Sequence, residues 1–285
     1  MISKEQFEKE IEIILENALR EDLGDGDHSS LACIPSDAKG GAKLIVKGEG
    51  IIAGLEFAKM VFNRVDPCLD LEMLLKDGDR IRPRDVAFLV RGSSRSILKS
   101  ERLVLNAMQR MSAIATKTYT FVEKIEDTKT KILDTRKTTP GLRALEKWAV
   151  KIGGGENHRF GLFDMIMLKD NHIDFAGGIA TAIKKTMEYL EQNQLNLKII
   201  VEARDISEIQ QIIEAGGADR ILIDNFSVED TKRAVALIDG RFQTESSGGI
   251  TLETVRSYAE CGVDYISCGA LTHSVKNLDL SLKAL

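Results

Sequence analysis

The sequence predicts an α/β protein, in which an α/β barrel, closed or incomplete, follows an α+β layer. Three observations predict it. From Lys129 onward, short runs rich in β-branched residues alternate with helical patterns, as repeated βα units of a parallel sheet do. Between Ala38 and Gly92, short strand patterns outnumber helices and are punctuated by glycine. Finally, the predicted strands of the second half end in charged or hydrogen-bonding residues, where barrels carry their chemistry. The expected division is residues 1–115 for the first domain and 116–274 for the barrel, with 275–285 a segment that can return to the first.

Ser3 and Gln6 form a capping-box pattern ahead of Phe7, Ile11, Ile14, Leu15, Ala18 and Leu19, which follow helical spacing. The polar run 21–30 reads as a solvated loop; Asp22, Asp25 and Asp27 lack the spacing of a calcium loop. Ala42–Val46 and Gly50–Ala53 read as strands around a glycine-bearing turn, Glu56–Val65 as a short helix, and Leu69–Leu75 and Val86–Val90 as further strands, with a tight turn at Asp77-Gly78-Asp79. Arg80, Arg82 and Arg84 read as solvated. A long helix is expected from Ser100, its N-cap, to Glu126. Arg102 then sits in the first turn, where a cation opposes the helix dipole, a hint that it meets an anion; a surface ion pair explains it equally well. The barrel strands are expected at 131–134, 164–169, 198–202, 220–224, 242–245 and 264–267, separated mostly by helices at 179–190, 206–215, 228–238 and 252–261.

Two of the 131–169 strand ends are cationic. Arg136 and Lys137 follow the first, Lys169 closes the second, and His158-Arg159 lie in the glycine-rich loop between. Arginine forks match carboxylate and phosphate geometry, so this segment suits a small molecule with several negative charges. The next three ends carry Glu202, Asp224 and Glu245, a side suited to a hard metal or a developing cation. Ser247-Gly248-Gly249 and Gly269-Ala270 follow successive strands late in the series, as phosphate-binding loops of barrels do. Gly153-Gly154-Gly155 follows no strand and reads as a hinge or a close backbone approach to a ligand. His172 and His273 are as readily structural as functional, and no His/Cys pattern supports zinc.

The net charge of −5 argues against a general nucleic-acid binder. The four cysteines form no C-x-x-C pair and read as reduced thiols. The N-terminal stretch is too charged for a signal peptide, and no apolar run reaches the ~18 residues of a membrane span, so a cytoplasmic, soluble protein is expected.

Long motifs in order, EDLGDGD, SERLVLNAMQRMSAIAT, DTRKTTPGLR, KWAVKIGGGENHRFGLFDMIMLKDNH, IDNFS, ESSGGI and ISCGALTHS, make the chain resemble the quinolinate phosphoribosyltransferases over nearly its whole length. The resemblance implies an N-terminal sandwich domain, a seven-stranded barrel and a homodimer with shared active sites. It implies transfer of phosphoribosyl from phosphoribosyl pyrophosphate to quinolinate, with loss of carbon dioxide, in the presence of Mg2+. By the same resemblance Arg136, His158, Arg159 and Lys169 hold quinolinate, with Arg102 supplied by the partner subunit. Lys137, Glu202 and Asp224 serve the phosphoribosyl group. Glu202 and Asp224 also hold the metal, directly or through water, and Ser247, Gly248, Gly249, Gly269 and Ala270 hold the 5'-phosphate. Lys137, Lys169, Glu202 and Asp224 are the implied catalytic groups. The rival expectations are a transferase for another acceptor such as nicotinate, a related protein linked to molybdate transport, and a non-catalytic metabolite-binding barrel.

Overall fold

A computed structural model describes residues 2–285. The chain forms two compact units. One comprises residues 3–119, 138–154 and 271–285; the other comprises 120–137 and 155–270, together with the start of the chain. Elements are numbered in chain order.

In the first unit, α1 (Lys4–Leu23) begins with the capping box of Ser3 and Gln6 and buries Ile11, Ile14 and Leu15. The polar run after it is shorter than expected, because the Asp27 carboxylate accepts from Ser30 N and starts α2 (His28–Cys33). Strands β1 (Lys39–Val46) and β2 (Gly50–Ile51) are not the two arms of a hairpin. β1 lies between β5 (Val86–Ser93) and the distant β12 (Leu280–Ala284) in an antiparallel sheet that β3 (Asp70–Met73) completes. β2 pairs instead with β4 (Arg80–Ile81), too short a strand to stand out in the sequence. The turn before β4 has a second task. Asp77 accepts from Leu55 N at 2.8 Å and so caps α3 (Leu55–Val65), whose own cap residue is Gly54. Arg80 is engaged rather than simply solvated, its guanidinium lying 4.8 Å over the Tyr119 ring.

Helix α4 spans Ser94–Lys124 and starts directly where β5 ends. No glycine or proline interrupts residues 94–99, and Ile97 is buried, so the helix runs through them. Ser100 is therefore not a cap. It is fully buried and donates to Ser96 O one turn back. Arg102 lies in the third turn, and the dipole mismatch expected for it does not exist. Against α4 packs α5 (Arg143–Ile152), a helix not anticipated in the sequence. A Cβ on its capping Gly153 would meet Ala115 O at 2.4 Å and Thr118 Cβ at 2.8 Å. At Gly153 the close backbone approach is to α4.

The second unit is a parallel sheet in the order β6 (Lys131–Leu133), β11 (Tyr265–Ser267), β10 (Gln243–Ser247), β9 (Arg220–Asp224), β8 (Ile199–Ala203) and β7 (Ile166–Leu168). Leu133 also forms an isolated parallel bridge to Glu156, which lays a short extended segment, not a further strand, beside β6. Among the described residues no pairing joins that segment to β7, so the α/β barrel is incomplete along this seam. Helices α6 (Asp170–Ala176), α7 (Ile179–Gln192), α8 (Ile206–Ala215), α9 (Val228–Ile238) and α10 (Val255–Ala259) connect the strands. β8 is buried at all five positions, as a strand covered on both faces should be.

Candidate active site

All strands of the second unit are parallel, so the segments after β6 to β11 emerge at one end. Arg136 and Lys137 follow β6 and are exposed. The segment after Glu156 carries His158 and Arg159, both buried. Its anchor is Asp134, fully buried at the end of β6, which accepts from His158 N at 2.8 Å. Burial lowers the pKa of the Arg159 guanidinium, and the charge of Arg136 lowers it further; the two cations are near enough to repel. The Asp164 carboxylate opposes both effects without cancelling them, so the two arginines leave a locally cationic place suited to a dianion.

On the far side of the sheet order, Lys169 follows β7 and donates from Nζ to Glu202 Oε2 at 2.7 Å. Glu202 is buried near the end of β8 and also accepts from Asp170 N. Asp224 ends β9. Burial raises its pKa, and the nearby Glu202 carboxylate adds to this, while Lys169, Asn225 and Ser247 pull it back. Two like charges at adjacent strand ends, only partly offset by one lysine, suit a hard cation bound by carboxylates, phosphate oxygens and water. No group of three or more His, Cys, Asp or Glu side chains in metal-binding proximity occurs among the described residues, so protein ligands alone would not complete such a shell.

The glycine loops follow neighbouring strands. Ser247 ends β10, and Gly248 and Gly249 take φ values of +97° and +61°. A Cβ on Gly248 would lie 2.2 Å from Asn225 Oδ1, so only glycine lets this loop pass Asn225. Asn225 itself takes φ +58° and donates from Nδ2 to Asp224. Gly269 and Ala270 come just after β11.

Glu245 does not join the acidic side. It is fully buried within β10 and pairs with Arg220 Nη1 at 2.8 Å and His158 Nε2 at 3.2 Å. Arg220, at the start of β9, escaped the sequence analysis. The signal for it was a glutamate in the middle of a buried strand, which requires an internal partner. His158 thus faces inward, with both ring nitrogens against protein groups. Arg102 belongs to the other compact unit, where it is exposed on α4 and lines a cavity of about 370 Å³ with Arg110, Leu145 and Glu146.

Comparison with known proteins gives a consistent result. Residues 27–112 match the model of the quinolinate phosphoribosyl transferase N-terminal domain and residues 114–283 that of its C-terminal domain. The chain is 47% identical over 285 residues to quinolinate phosphoribosyltransferase [decarboxylating] 1b of Nicotiana tabacum, covering 95% of this chain and 81% of that protein. It is 42% identical to a probable nicotinate-nucleotide pyrophosphorylase [carboxylating] of Bacillus subtilis, over 94% of this chain and 91% of that one. The nicotinate-nucleotide pyrophosphorylase structure from Francisella tularensis superposes with a TM-score of 0.90 at 39% identity, covering 97% of this chain and 96% of the other.

Proposed function

This chain belongs to the quinolinate phosphoribosyl transferase family, and from that premise we propose that it transfers the phosphoribosyl group of phosphoribosyl pyrophosphate to quinolinate with decarboxylation, a step of de novo NAD biosynthesis. The products are nicotinate mononucleotide, pyrophosphate and carbon dioxide. The observation that carries the assignment of groups is the gathering of Arg136, Arg159 and Lys169 after parallel-running segments at one end of the sheet, with Glu202 and Asp224 at neighbouring strand ends.

Arg136, Arg159 and Lys169 bind the two carboxylates of quinolinate, with His158 behind Arg159. Held there, the pyridine nitrogen attacks the anomeric carbon while the bond to pyrophosphate breaks, the electron pair leaving with the pyrophosphate. Glu202 and Asp224 lie beside the ribose and offset its developing positive charge. Lys137 neutralises the departing pyrophosphate, and Ser247, Gly248, Gly249, Gly269 and Ala270 hold the 5'-phosphate through backbone N–H groups. The ring cation then takes up the electron pair left at C2 when that carboxylate departs as carbon dioxide, and a proton replaces it. Glu202 and Asp224 would hold Mg2+, directly or through water, and the ion would neutralise charge on the pyrophosphate. The protein's own contribution is orientation and fixed charge.

A homodimer in which Arg102 of the partner subunit completes the quinolinate site belongs to the same proposal, as does the cytoplasm as its compartment. All four cysteines are free thiols, which suits a reducing compartment. Among the described residues no helix is long and apolar enough to cross a membrane.

The test is incubation with quinolinate, phosphoribosyl pyrophosphate and Mg2+, following carbon dioxide and pyrophosphate. Equal amounts of the two are expected, and none of either without quinolinate. Pyrophosphate released with nicotinate but not quinolinate would move the protein to the rival transferase. In Arg136→Ala, kcat/KM for quinolinate should fall by about 10²–10³, since a desolvated carboxylate loses its partner at a cost of roughly 3–4 kcal/mol. Normal affinity and turnover in that variant would remove Arg136 from its role.

A further inference from the structure

Glu245 and Arg220 form a charged pair inside the barrel that no step above uses. Glu245 pairs in register with Leu222 on one side and Tyr265 on the other. Arg220, two residues before Leu222, therefore points to the same face of the sheet. Its guanidinium lies 3.8 Å from the centre of the Tyr265 ring and donates to Glu245 Oε2 at 2.8 Å. The same carboxylate oxygen faces His158 Nε2.

The other side of the imidazole defines its protonation. Arg159 N donates to His158 Nδ1 at 2.7 Å. A nitrogen that accepts an N–H carries no proton, so the ring proton sits on Nε2, toward Glu245. The His158 ring is thus fixed in one orientation. It is held from below by Glu245 and at its own backbone by Asp134. In turn it fixes the backbone of Arg159, whose Nη1 donates to Met165 O at 3.2 Å.

We propose that Glu245 is a positioning residue for substrate carboxylate binding: with Arg220 it orients the His158 ring, and His158 Nδ1 sets the backbone from which Arg159 reaches the ligand. This rests on Arg159 as a quinolinate ligand. An ion pair that only stabilised the barrel would not require one tautomer of a neighbouring imidazole, nor would its loss act on one substrate and spare the other.

Glu245→Gln alone leaves Arg220 buried without its counter-ion, so the variant to use is Glu245→Gln with Arg220→Met. In it, KM for quinolinate should rise roughly tenfold to a hundredfold, as a misplaced binding group predicts, with KM for phosphoribosyl pyrophosphate within about threefold of wild type. His158→Asn keeps an acceptor oxygen at the δ1 position and should lose less quinolinate affinity than His158→Leu. Nitrogen-15 NMR of the wild-type protein should show His158 unprotonated at Nδ1 and protonated at Nε2. A proton on Nδ1 overturns the proposal whatever the activity. So does an unchanged quinolinate KM in a folded double variant, or an equal loss in His158→Asn and His158→Leu. A wild-type protein that does not turn over quinolinate defeats the proposed function instead, and the tautomer is still decided by the spectrum.

Discussion

Lys169 Nζ donates to Glu202 Oε2 across 2.7 Å, joining the end of β7 to the end of β8 while the lysine stays half-exposed and the glutamate is almost fully buried. The lysine therefore has two duties, to offset Glu202 and to face an incoming anion. Lys169→Ala removes both. It should lower kcat/KM for quinolinate by about 10²-fold or more, and cost about 1–2 kcal/mol of stability in the absence of ligand, because Glu202 loses its cation beside Asp224. Steady-state kinetics and denaturant unfolding check the two effects separately.

Asp224 illustrates the reverse balance. Burial and the Glu202 charge raise its pKa above the ordinary 3.8, so its ionised form is disfavoured in the folded protein. Below pH 3.8 the carboxyl is protonated in folded and unfolded chains alike and carries no penalty. The penalty appears as pH rises through the raised folded value. Asp224→Asn should accordingly melt slightly higher than wild type at pH 7, the difference vanishing near pH 3, while its turnover falls. A lower melting temperature at pH 7 would contradict this balance.

For Glu245, burial pushes the pKa up, but His158 and Arg220 overrule it and hold it at about 2, against an ordinary 4.5. A depressed carboxylate contributes stability that is complete above pH 4.5 and is lost as pH falls toward about 2. The Glu245→Gln, Arg220→Met double variant removes the titration. The wild-type protein should therefore lose stability more steeply than this variant across that window in unfolding measured by circular dichroism.

Gly248→Ala forces a methyl group to within 2.2 Å of Asn225 Oδ1 at a φ of +97°. The strain should cost about 1–3 kcal/mol and displace the loop after β10. KM for phosphoribosyl pyrophosphate should rise more than KM for quinolinate. A larger effect on quinolinate would take this loop out of phosphate binding.

The barrel half was legible because its strands are short runs alternating with helical patterns, β8 and β9 being rich in β-branched residues, and β9, for example, occupies the residues expected of it. α8 and α9 also match their expected bounds, with caps from Asp205 and Ser227. What escaped depends on contacts distant in sequence. β4 has two residues and exists because β2 lies across from it. The segment beside β6 is one isolated bridge at Glu156, held further along by His158 N donating to Asp134, and has no periodicity to detect. Ser100 resembled a cap because a serine before an acidic residue is a strong local signal, yet continuous helix-compatible sequence from Ser94 outweighs it. At the site, cations and glycines were visible as residue types. The inward turn of His158 was not, since it follows from Arg220 and Glu245 meeting inside the barrel.

Because β1 is flanked on one edge by β12, the antiparallel sheet is assembled from pieces translated at opposite times. A ribosome releases β1 early, with one edge bare until Leu280–Ala284 have cleared the exit tunnel. During that interval the nascent chain exposes unpaired N–H and C=O groups on an apolar strand, the kind of surface that recruits other chains. Chaperone demand should therefore depend on how promptly the last strand is delivered, and deleting those few residues should harm solubility more than their number suggests.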